Sequence, residues 1–263
     1  MRQYDSAALP KSHFPGYAPG GGLIPDLKSA ALASSDRELR RLFSQQAFLS
    51  ETGERLRSFA NIVIKRTFDV LFAFCTLPFL LLAVAAIGIA IRLDSPGPAL
   101  LMQERMGKNK QRFKCIKFRT MYTNGDAILK QHLAKDRVAA EEWCKYKKLK
   151  QCDPRVTRVG SFLRKTSLDE LPQIFNILNG EMSWFGPRPY LPDEEPDMAG
   201  YSEVILLTTP GITGLWQVAG RNDLVFNDRL KLDAWYVLNW SLWLDVVIFF
   251  RTIKVVLKRE GAY

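Results

Sequence analysis

The longest hydrophobic pattern in the chain is an uncharged run from Val70 to Ile91, which reads VLFAFCTLPFLLLAVAAIGIAI. About 20 apolar residues are enough to cross the hydrocarbon core of a bilayer, which is about 30 Å thick. Lys65 and Arg66 precede the run, and basic residues follow it from Arg92 onwards. A buried core helix is the alternative, but the length of the run and its basic flanks favour a membrane segment.

Pro78 lies in the first half of this run, where it removes a backbone donor and clashes with the preceding turn of a helix. Both flanks are basic, so a spanning helix would place one of them outside, against the positive-inside tendency. We therefore predict that residues 61–92 form a re-entrant membrane helix, broken at Pro78, whose two ends lie on the same side. A kinked spanning helix remains the alternative.

Shorter patterns predict the other elements before the C-terminal part. Residues 1–60 predict a flexible leader, rich in proline and glycine up to Pro25, followed by a polar helical segment. Alternating apolar and basic residues predict a strand over 113–119, and a charged surface helix is predicted over 126–150. Residues 167–180 predict a helix that Gly180 closes, whereas residues 182–192 and 208–223 predict irregular loops.

The C-terminal segment over 235–263 is amphipathic and aromatic, which favours an interfacial helix, with an ordinary core helix as the alternative. Its candidates for an interfacial aromatic belt are Trp235, Tyr236, Trp240 and Trp243. The whole pattern predicts an α/β, helix-rich protein with a Pro-broken re-entrant helix, amphipathic interfacial helices and a compact domain over 93–263.

Composition narrows the choice of partner and chemistry. The chain has 263 residues, of which 47% are hydrophobic, and its net charge is +10, so it suits an anionic partner. Basic residues directly after a membrane segment are explained more simply by binding to anionic lipid headgroups than by binding to nucleic acid. A soluble nucleic-acid-binding protein is the alternative. Only two histidines and no C-x-x-C pair are present, which leaves little material for a catalytic triad or a zinc site.

The paired acids Asp169 and Glu170 are the first candidates for chemistry. Ser167 and Glu170 also match a capping box, so a helix start is the structural alternative. The surroundings favour a chemical role over a helix cap, because these acids lie among basic residues. These are Arg155, Arg158, Arg164 and Lys165 upstream, and Arg188 between two prolines downstream. Arginine donates two parallel hydrogen bonds to phosphate, and carboxylates bind divalent cations, so the pattern predicts a site for a phosphorylated substrate.

Two further basic residues, Lys117 and Arg119, alternate with Phe118, so both side chains are predicted on one face of the strand. A solvated basic face is the alternative. No Walker A or G-x-G-x-x-G motif is present, so any nucleotide is held by another kind of site.

Several motifs occur in one order along the chain: K-R-x-F-D, KFRTM, DPRVTRVGSFLRKTSLDELPQ, GEMSWFGPRP and PGITGLWQVAGRN. With them the chain resembles the bacterial sugar transferases, monotopic phosphoglycosyl transferases that start glycan assembly on a polyprenyl phosphate. The resemblance covers about Ile62 to Tyr263. The stretch RNDLVFNDR, the segment NWSL and the final GAY resemble the subgroup that transfers galactose 1-phosphate in exopolysaccharide and O-antigen synthesis.

The chain departs from the family pattern in two places. Longer members carry four membrane spans and a soluble domain ahead of the catalytic unit, and residues 1–60 show neither, so a compact stand-alone form or a fragment is expected. Members also often have Ser-Pro at the membrane break, where this chain has Leu77-Pro78. Any role of that serine is therefore missing, although the proline remains.

The resemblance implies roles for individual residues. Asp169 matches the nucleophilic aspartate, and Glu170 is expected to bind Mg²⁺ together with Asp169 or to assist proton transfer. The positions that match phosphate-neutralising residues are Lys117, Arg119, Arg164 and Arg188, and those expected near the nucleotide are Gln217 and Arg221.

The implied reaction moves hexose 1-phosphate from a UDP-sugar to undecaprenyl phosphate through a sugar phosphate bound covalently to Asp169. Galactose is the expected sugar, and glucose or a non-catalytic, membrane-anchored scaffold are the alternatives. Residues 93–263 are then the catalytic domain, at the cytoplasmic face of a bacterial inner membrane. Membrane lipids are expected partners, nucleic acid is not, and self-association into a homo-oligomer is left open.

Overall fold

Residues 59–146, 149, 153–198, 200–220 and 224–258 are described by the structure, a computed structural model of the chain. The predicted leader and its polar helix therefore lie almost wholly outside the described residues. The helices are α1 (Phe59–Asp94), α2 (Gly125–Lys135), α3 (Arg137–Tyr146), α4 (Arg158–Thr166), α5 (Ile174–Leu178), α6 (Ser202–Ile205), α7 (Leu215–Ala219), α8 (Phe226–Leu238) and α9 (Leu242–Lys258). The strands are β1 (Leu100–Met106), β2 (Arg112–Phe118), β3 (Ser183–Phe185) and β4 (Gly211–Thr213), and 3₁₀ turns span Lys108–Lys110, Leu168–Gln173 and Pro192–Met198.

Helix α1 contains the long apolar run, and among the described residues it alone is long and apolar enough to cross a membrane. It is 36 residues long and continues through Pro78, so the predicted break does not occur as an interruption of the helix. A proline removes one hydrogen bond from the ladder, and the many bonds on either side of it keep so long a helix intact. The re-entrant topology itself stays a prediction.

Both ends of α1 are bonded to the rest of the fold. Near its start, Lys65 Nζ lies 2.7 Å from the carboxylate of Asp245 in α9. At its end, Asp94 accepts a hydrogen bond of 3.0 Å from the backbone N–H of Val159 in α4. The middle of the helix has exposed apolar side chains instead, and Phe79 is 76% exposed.

Strands β1 and β2 form an antiparallel hairpin in which Arg105 faces Phe113 and Leu101 faces Lys117. The predicted strand is confirmed as β2, although it ends at Phe118. The side chain of Asn176 in α5 continues the hydrogen bonding of β2: its amide donates to the carbonyl of residue 114 and its oxygen accepts from the N–H of residue 116. Helix α5 is thereby fixed against the strand that carries Lys117.

The predicted surface helix over 126–150 is two helices in the structure. Helix α2 ends at Lys135, and Asp136 has an extended backbone, with φ −121° and ψ 106°. The Asp136 carboxylate accepts a hydrogen bond of 3.0 Å from the N–H of Ala139, so it caps the start of α3. The sequence did not predict this break, because its charged residues favour a continuous helix and the break depends on Asp136 alone.

The two segments predicted as irregular loops contain strands β3 and β4, which pair in parallel. Glycine permits the pairing, because a Cβ atom on Gly211 would lie within 2.1 Å of the backbone nitrogen of Gly186. Strands of three residues are too short for an alternating pattern, which is why the sequence did not indicate them. The described part is thus helix-rich with two small sheets, as the α/β, helix-rich prediction has it.

The C-terminal aromatic residues divide between the core and the surface. Trp235 and Tyr236 are 5% and 1% exposed and belong to the largest apolar cluster of the described residues, so their predicted place in an interfacial belt is wrong. Trp243 is 68% exposed, and it shares one side of α9 with exposed Phe250. Of the segment over 235–263, only α9 matches the predicted amphipathic helix.

Candidate active site

The acid pair stands on a 3₁₀ turn that begins where α4 ends. Ser167 terminates α4 in the left-handed region, with φ 58° and ψ 18°, an uncommon conformation for a residue other than glycine. The chain therefore turns sharply before Asp169 and Glu170. The Ser167 side chain makes no capping hydrogen bond here, so the capping-box alternative does not apply.

Glu170 connects this turn to strand β2. Its carboxylate lies 2.7 Å from Lys117 Nζ, and both side chains are only about a quarter exposed or less. Because Asn176 fixes the following helix to the same strand, the pair has a supported geometry. Lys117 therefore presents its positive charge beside the acid pair.

Asp169 has a carboxyl group with a shifted pKa. Burial and, after it, the neighbouring charge of Glu170 raise the pKa of its carboxyl group to about 6, against the opposing charges of Lys117 and Arg164. Desolvation disfavours the ionised form of an acid, which is the usual reason for such a shift at a reactive carboxyl group. Near neutral pH the group is mostly ionised, yet it is more basic than an exposed aspartate.

A cleft adjoins the acid pair and is rich in cationic and amide side chains. It is lined by Arg105, Lys117, Glu170, Gln173, Arg188, Pro189, Gly211, Ile212 and Gln217. Three positive side chains against one carboxylate give this small cleft a net positive charge, which attracts anions.

Arg188 is presented by a loop that is fixed from below. Its backbone N–H donates to the Asp233 carboxylate at 3.1 Å, and the Tyr190 hydroxyl donates to the same oxygen at 2.8 Å. Asp233 is completely buried, and burial raises its pKa to about 7. The Arg188 guanidinium lies 5.9 Å from the ring centre of Trp216, a cation–π contact that orients the side chain.

The structure brings most of the predicted site residues together. Lys117, Glu170, Arg188 and Gln217 line one cleft, and Asp169 adjoins it. Arg164 lies close enough to lower the pKa of Asp169, and its Nε donates to the hydroxyl of Thr120 at 2.9 Å.

One predicted residue is not brought to the cleft. The buried Arg119 donates instead to backbone carbonyls of residues 95–98, at 2.6 to 3.5 Å, so its guanidinium holds a turn. Arg119 was predicted on the face of Lys117, but β2 ends at Phe118, between the two residues. Arg221 lies outside the described residues. Of the other basic residues near the acids, Arg155 pairs with Asp153 at 2.6 Å.

Sequence reasoning missed Arg105 and Gln173 as residues of the cleft. The hairpin register contains a signal for Arg105: facing residues and every second residue share one face, which puts Arg105 on the face of Lys117. That signal requires the pairing of β1 with β2, which was not predicted.

The expected magnesium ion would have the two carboxylates of the acid pair as its protein ligands. No group of three or more histidine, cysteine, aspartate or glutamate side chains that suits a metal occurs among the described residues. Mg²⁺ commonly uses one or two carboxylates and takes its other ligands from water and phosphate. Asp169 and Glu170 supply that number of carboxylates.

Comparison with known proteins finds one matching family and several similar proteins. The model of a family described as bacterial sugar transferase matches residues 60–259. The UDP-galactose-lipid carrier transferase of Erwinia amylovora is 43% identical over 92% of this chain and 50% of its own length. The undecaprenyl-phosphate galactose phosphotransferase of Salmonella typhimurium is 40% identical over 99% of this chain and 55% of its own length.

A third relative is similar in length to this chain. The exopolysaccharide production protein ExoY of Sinorhizobium fredii is 46% identical over 76% of this chain and 88% of its own length. The chain spans about half the length of the other two relatives.

Proposed function

The chain belongs to the bacterial sugar transferase family, as its motifs predicted, and we propose that it transfers hexose 1-phosphate from a UDP-sugar to undecaprenyl phosphate. Galactose is the favoured sugar, because two similar proteins are named for galactose. The product would initiate exopolysaccharide or O-antigen synthesis, and the name of the ExoY relative supports the former.

One observation carries the proposal: the half-buried carboxyl group of Asp169, with its pKa raised to about 6, adjoins a cleft lined by cationic side chains. A carboxylate attacks a phosphate diester only if nearby positive charge offsets the repulsion between the two anions. Lys117, Arg164 and Arg188 supply that charge. A site that only held lipid headgroups would not need an acid with a raised pKa at its edge.

In the first step, a carboxylate oxygen of Asp169 attacks the β-phosphorus of the UDP-sugar. The bond from that phosphorus to the bridging oxygen breaks, and UMP leaves with the oxygen and the electron pair. The sugar phosphate remains on Asp169 as an acyl phosphate. Lys117 and Arg188 stabilise the charge on the transferring phosphoryl group, and Glu170 keeps Lys117 in place at 2.7 Å.

In the second step, a phosphate oxygen of undecaprenyl phosphate attacks the phosphorus of the acyl phosphate. The bond to Asp169 breaks, the carboxylate is regenerated, and the sugar leaves as the lipid-linked diphosphate. Mg²⁺, held by Asp169 and Glu170, would neutralise phosphate charge in both steps. Because the donor and the acceptor react in turn, the cleft needs to hold only one of them at a time.

The attachment of α1 supports a site on one face of the membrane. Both its ends bond to elements of the same folded part, while its apolar middle is exposed. We place the middle in the bilayer and both ends at the cytoplasmic face of the inner membrane, as a re-entrant helix. Exposed Trp243 and Phe250 of α9 would lie against the same surface.

The first test is UMP release by the wild-type chain and by the Asp169→Asn variant, with undecaprenyl phosphate and a panel of UDP-sugars. We expect UMP release and a radiolabelled sugar phosphate trapped on the wild-type chain, and a loss of at least a thousandfold in the variant because an amide is a poor nucleophile. Turnover of the variant near the wild-type rate would contradict the role of Asp169.

The same panel separates the alternatives. Faster release from UDP-glucose than from UDP-galactose would identify a glucose 1-phosphate transferase. Membrane binding without UMP release from any UDP-sugar would favour the non-catalytic scaffold.

A further inference from the structure

The open end of the hairpin formed by β1 and β2 exposes three apolar residues in a row. Leu100, Leu101 and Met102 begin β1, and they are between 39% and 60% exposed. The sheet that contains them has two strands among the described residues, so β1 is an edge strand. An exposed apolar edge strand invites aggregation in water, and soluble proteins protect such edges with charge or cover them. This end of the hairpin therefore needs a partner.

The other end of the same hairpin is charged. Glu104 pairs with Arg112 across the two strands at 2.9 Å, and both side chains are more than half exposed. Arg112 faces Met106, and a strand rises about 3.4 Å per residue, so about 14 Å separates Met102 from this charged end. Polarity thus changes along the length of the hairpin, not from one of its faces to the other. A hairpin that stands with one end against an apolar phase has this arrangement.

A rigid turn joins the apolar end of the hairpin to the end of α1. The Arg119 guanidinium donates to backbone carbonyls of residues 95–98, which fixes the turn. The last apolar residue of α1, Leu93, is 83% exposed, and Arg92 beside it is exposed as well. An exposed arginine next to exposed apolar residues is typical of a helix end at the level of lipid headgroups. The turn therefore holds Leu100–Met102 beside the place where α1 leaves the bilayer, both for a spanning and for a re-entrant helix.

We infer that the open end of the hairpin, Leu100–Met102, inserts into the membrane interface and that lipid is its partner. Backbone groups on an unpaired strand edge need water, so the insertion reaches the headgroup region and stops short of the hydrocarbon core. Apolar side chains bind in this region, while the charged end of the hairpin stays in water. Lys117 faces Leu101, so the cation beside the acid pair lies at the depth of the lipid headgroups.

The inference rests on the membrane placement of α1 in the proposed function, but not on the proposed reaction. The test places a nitroxide spin label on single cysteines of the full chain in lipid vesicles, with the four native cysteines replaced by alanine. The probes are Leu101→Cys and Met102→Cys, whose side chains point to opposite faces of β1. For each label, collision rates are measured with oxygen, which concentrates in lipid, and with a water-soluble nickel complex. We expect the ratio of oxygen to nickel collisions to be several-fold higher at both probes than at water-exposed control positions.

The matched controls are Arg112→Cys, at the charged end of the same hairpin, and Val138→Cys on α3, an apolar residue that is 76% exposed. Both labels should collide mainly with the nickel complex. Phe79→Cys, in the exposed apolar middle of α1, is the lipid reference and should have the highest ratio. Thermal unfolding identifies a misfolded variant, and each probe tests the inference if the other does not fold.

Two results would overturn the inference. A ratio at either folded probe equal to that of Arg112→Cys would place this end of the hairpin in water. Few collisions with either reagent would show that protein covers it, such as a second copy of the chain. A low ratio at Phe79→Cys would overturn the membrane placement of α1 as well, whereas a high ratio there with a low ratio at the two probes would overturn this inference alone.

Discussion

At the scale of single residues, Asp233 lies completely buried beneath the loop that carries Arg188. It accepts hydrogen bonds from the N–H of Arg188 and the hydroxyl of Tyr190, but the second oxygen of its carboxyl group has no partner among the described residues. Burial therefore outweighs these bonds and raises its pKa to about 7. The carboxyl group that supports the loop is neutral in the folded protein at mildly acidic pH.

This pKa predicts a stability that falls as the pH rises. Between the unfolded value of 3.8 and about 7, the folded chain holds a proton on Asp233 that the unfolded chain has released. The free energy of unfolding then decreases with rising pH, by at most about 1.4 kcal/mol per pH unit. Asp233→Asn keeps an acceptor for Arg188 and Tyr190 and removes this contribution.

The measurement is denaturant unfolding in detergent at intervals from pH 4 to pH 8. The stability of the wild type relative to Asp233→Asn should fall with pH up to about 7 and then level off. Other titrating groups are common to both chains and cancel in the difference. Parallel pH profiles would contradict the prediction.

At the scale of elements, α1 is attached to α9 through Lys65 and Asp245. The Asp245 carboxylate also accepts hydrogen bonds from the hydroxyl of Tyr236, at 2.6 Å, and from the indole of Trp240, at 3.1 Å. The side chains of Lys65 and Asp245 are 15% and 7% exposed, so the pair is largely shielded from water. Removing one partner of such a pair leaves an uncompensated buried charge.

We therefore expect Lys65→Met to lower the free energy of unfolding by about 3 kcal/mol. Arg137→Met is the matched control, because Arg137 pairs with Glu141 on a surface where both side chains are at least 70% exposed. That change should lower stability by no more than about 0.5 kcal/mol. The double variant Lys65→Met/Asp245→Asn should recover part of the loss, since it removes the unpaired charge, and equal losses in the Lys65 and Arg137 variants would refute the argument.

Sequence patterns predicted those elements whose signal is local. The apolar run predicted α1, and the alternation of residues predicted β2. The acid pair and Arg188 were predicted as site residues because they are close in the chain to other charged residues or to prolines. The place of Arg105 depends instead on the pairing of two strands, and β3 and β4 depend on contact between segments that are distant in the chain. Arg119 was predicted beside Lys117 from the local alternation, but the strand ends one residue before it. Its guanidinium therefore binds a backbone carbonyl instead.

At the scale of the whole molecule, the bonds at both ends of α1 predict that these ends lie on one side of the membrane. Thr67 and Arg92 are exposed near the two ends, and Phe79 is exposed in the apolar middle. Single cysteines at these positions, in a chain whose four native cysteines are replaced, report the side to which each position is accessible.

A membrane-impermeant maleimide should label Thr67→Cys and Arg92→Cys in inside-out vesicles, and neither of them in right-side-out vesicles. Phe79→Cys is the internal control and should be protected in both preparations, because we place it within the hydrocarbon core. Labelling of Thr67→Cys and Arg92→Cys from opposite sides would identify a spanning helix and exclude the re-entrant topology.

The turn over residues 95–98, which Arg119 holds through its carbonyls, joins the end of α1 to the hairpin that carries Lys117. In the proposed topology, the depth of α1 in the bilayer therefore sets the height of the acid pair above the hydrocarbon. An undecaprenyl phosphate that diffuses within its leaflet keeps its own phosphate at a nearly constant height. In the proposed mechanism, the encounter between the lipid and the acyl phosphate on Asp169 would be a search in two dimensions, and its rate would follow the surface density of the lipid rather than its concentration in bulk.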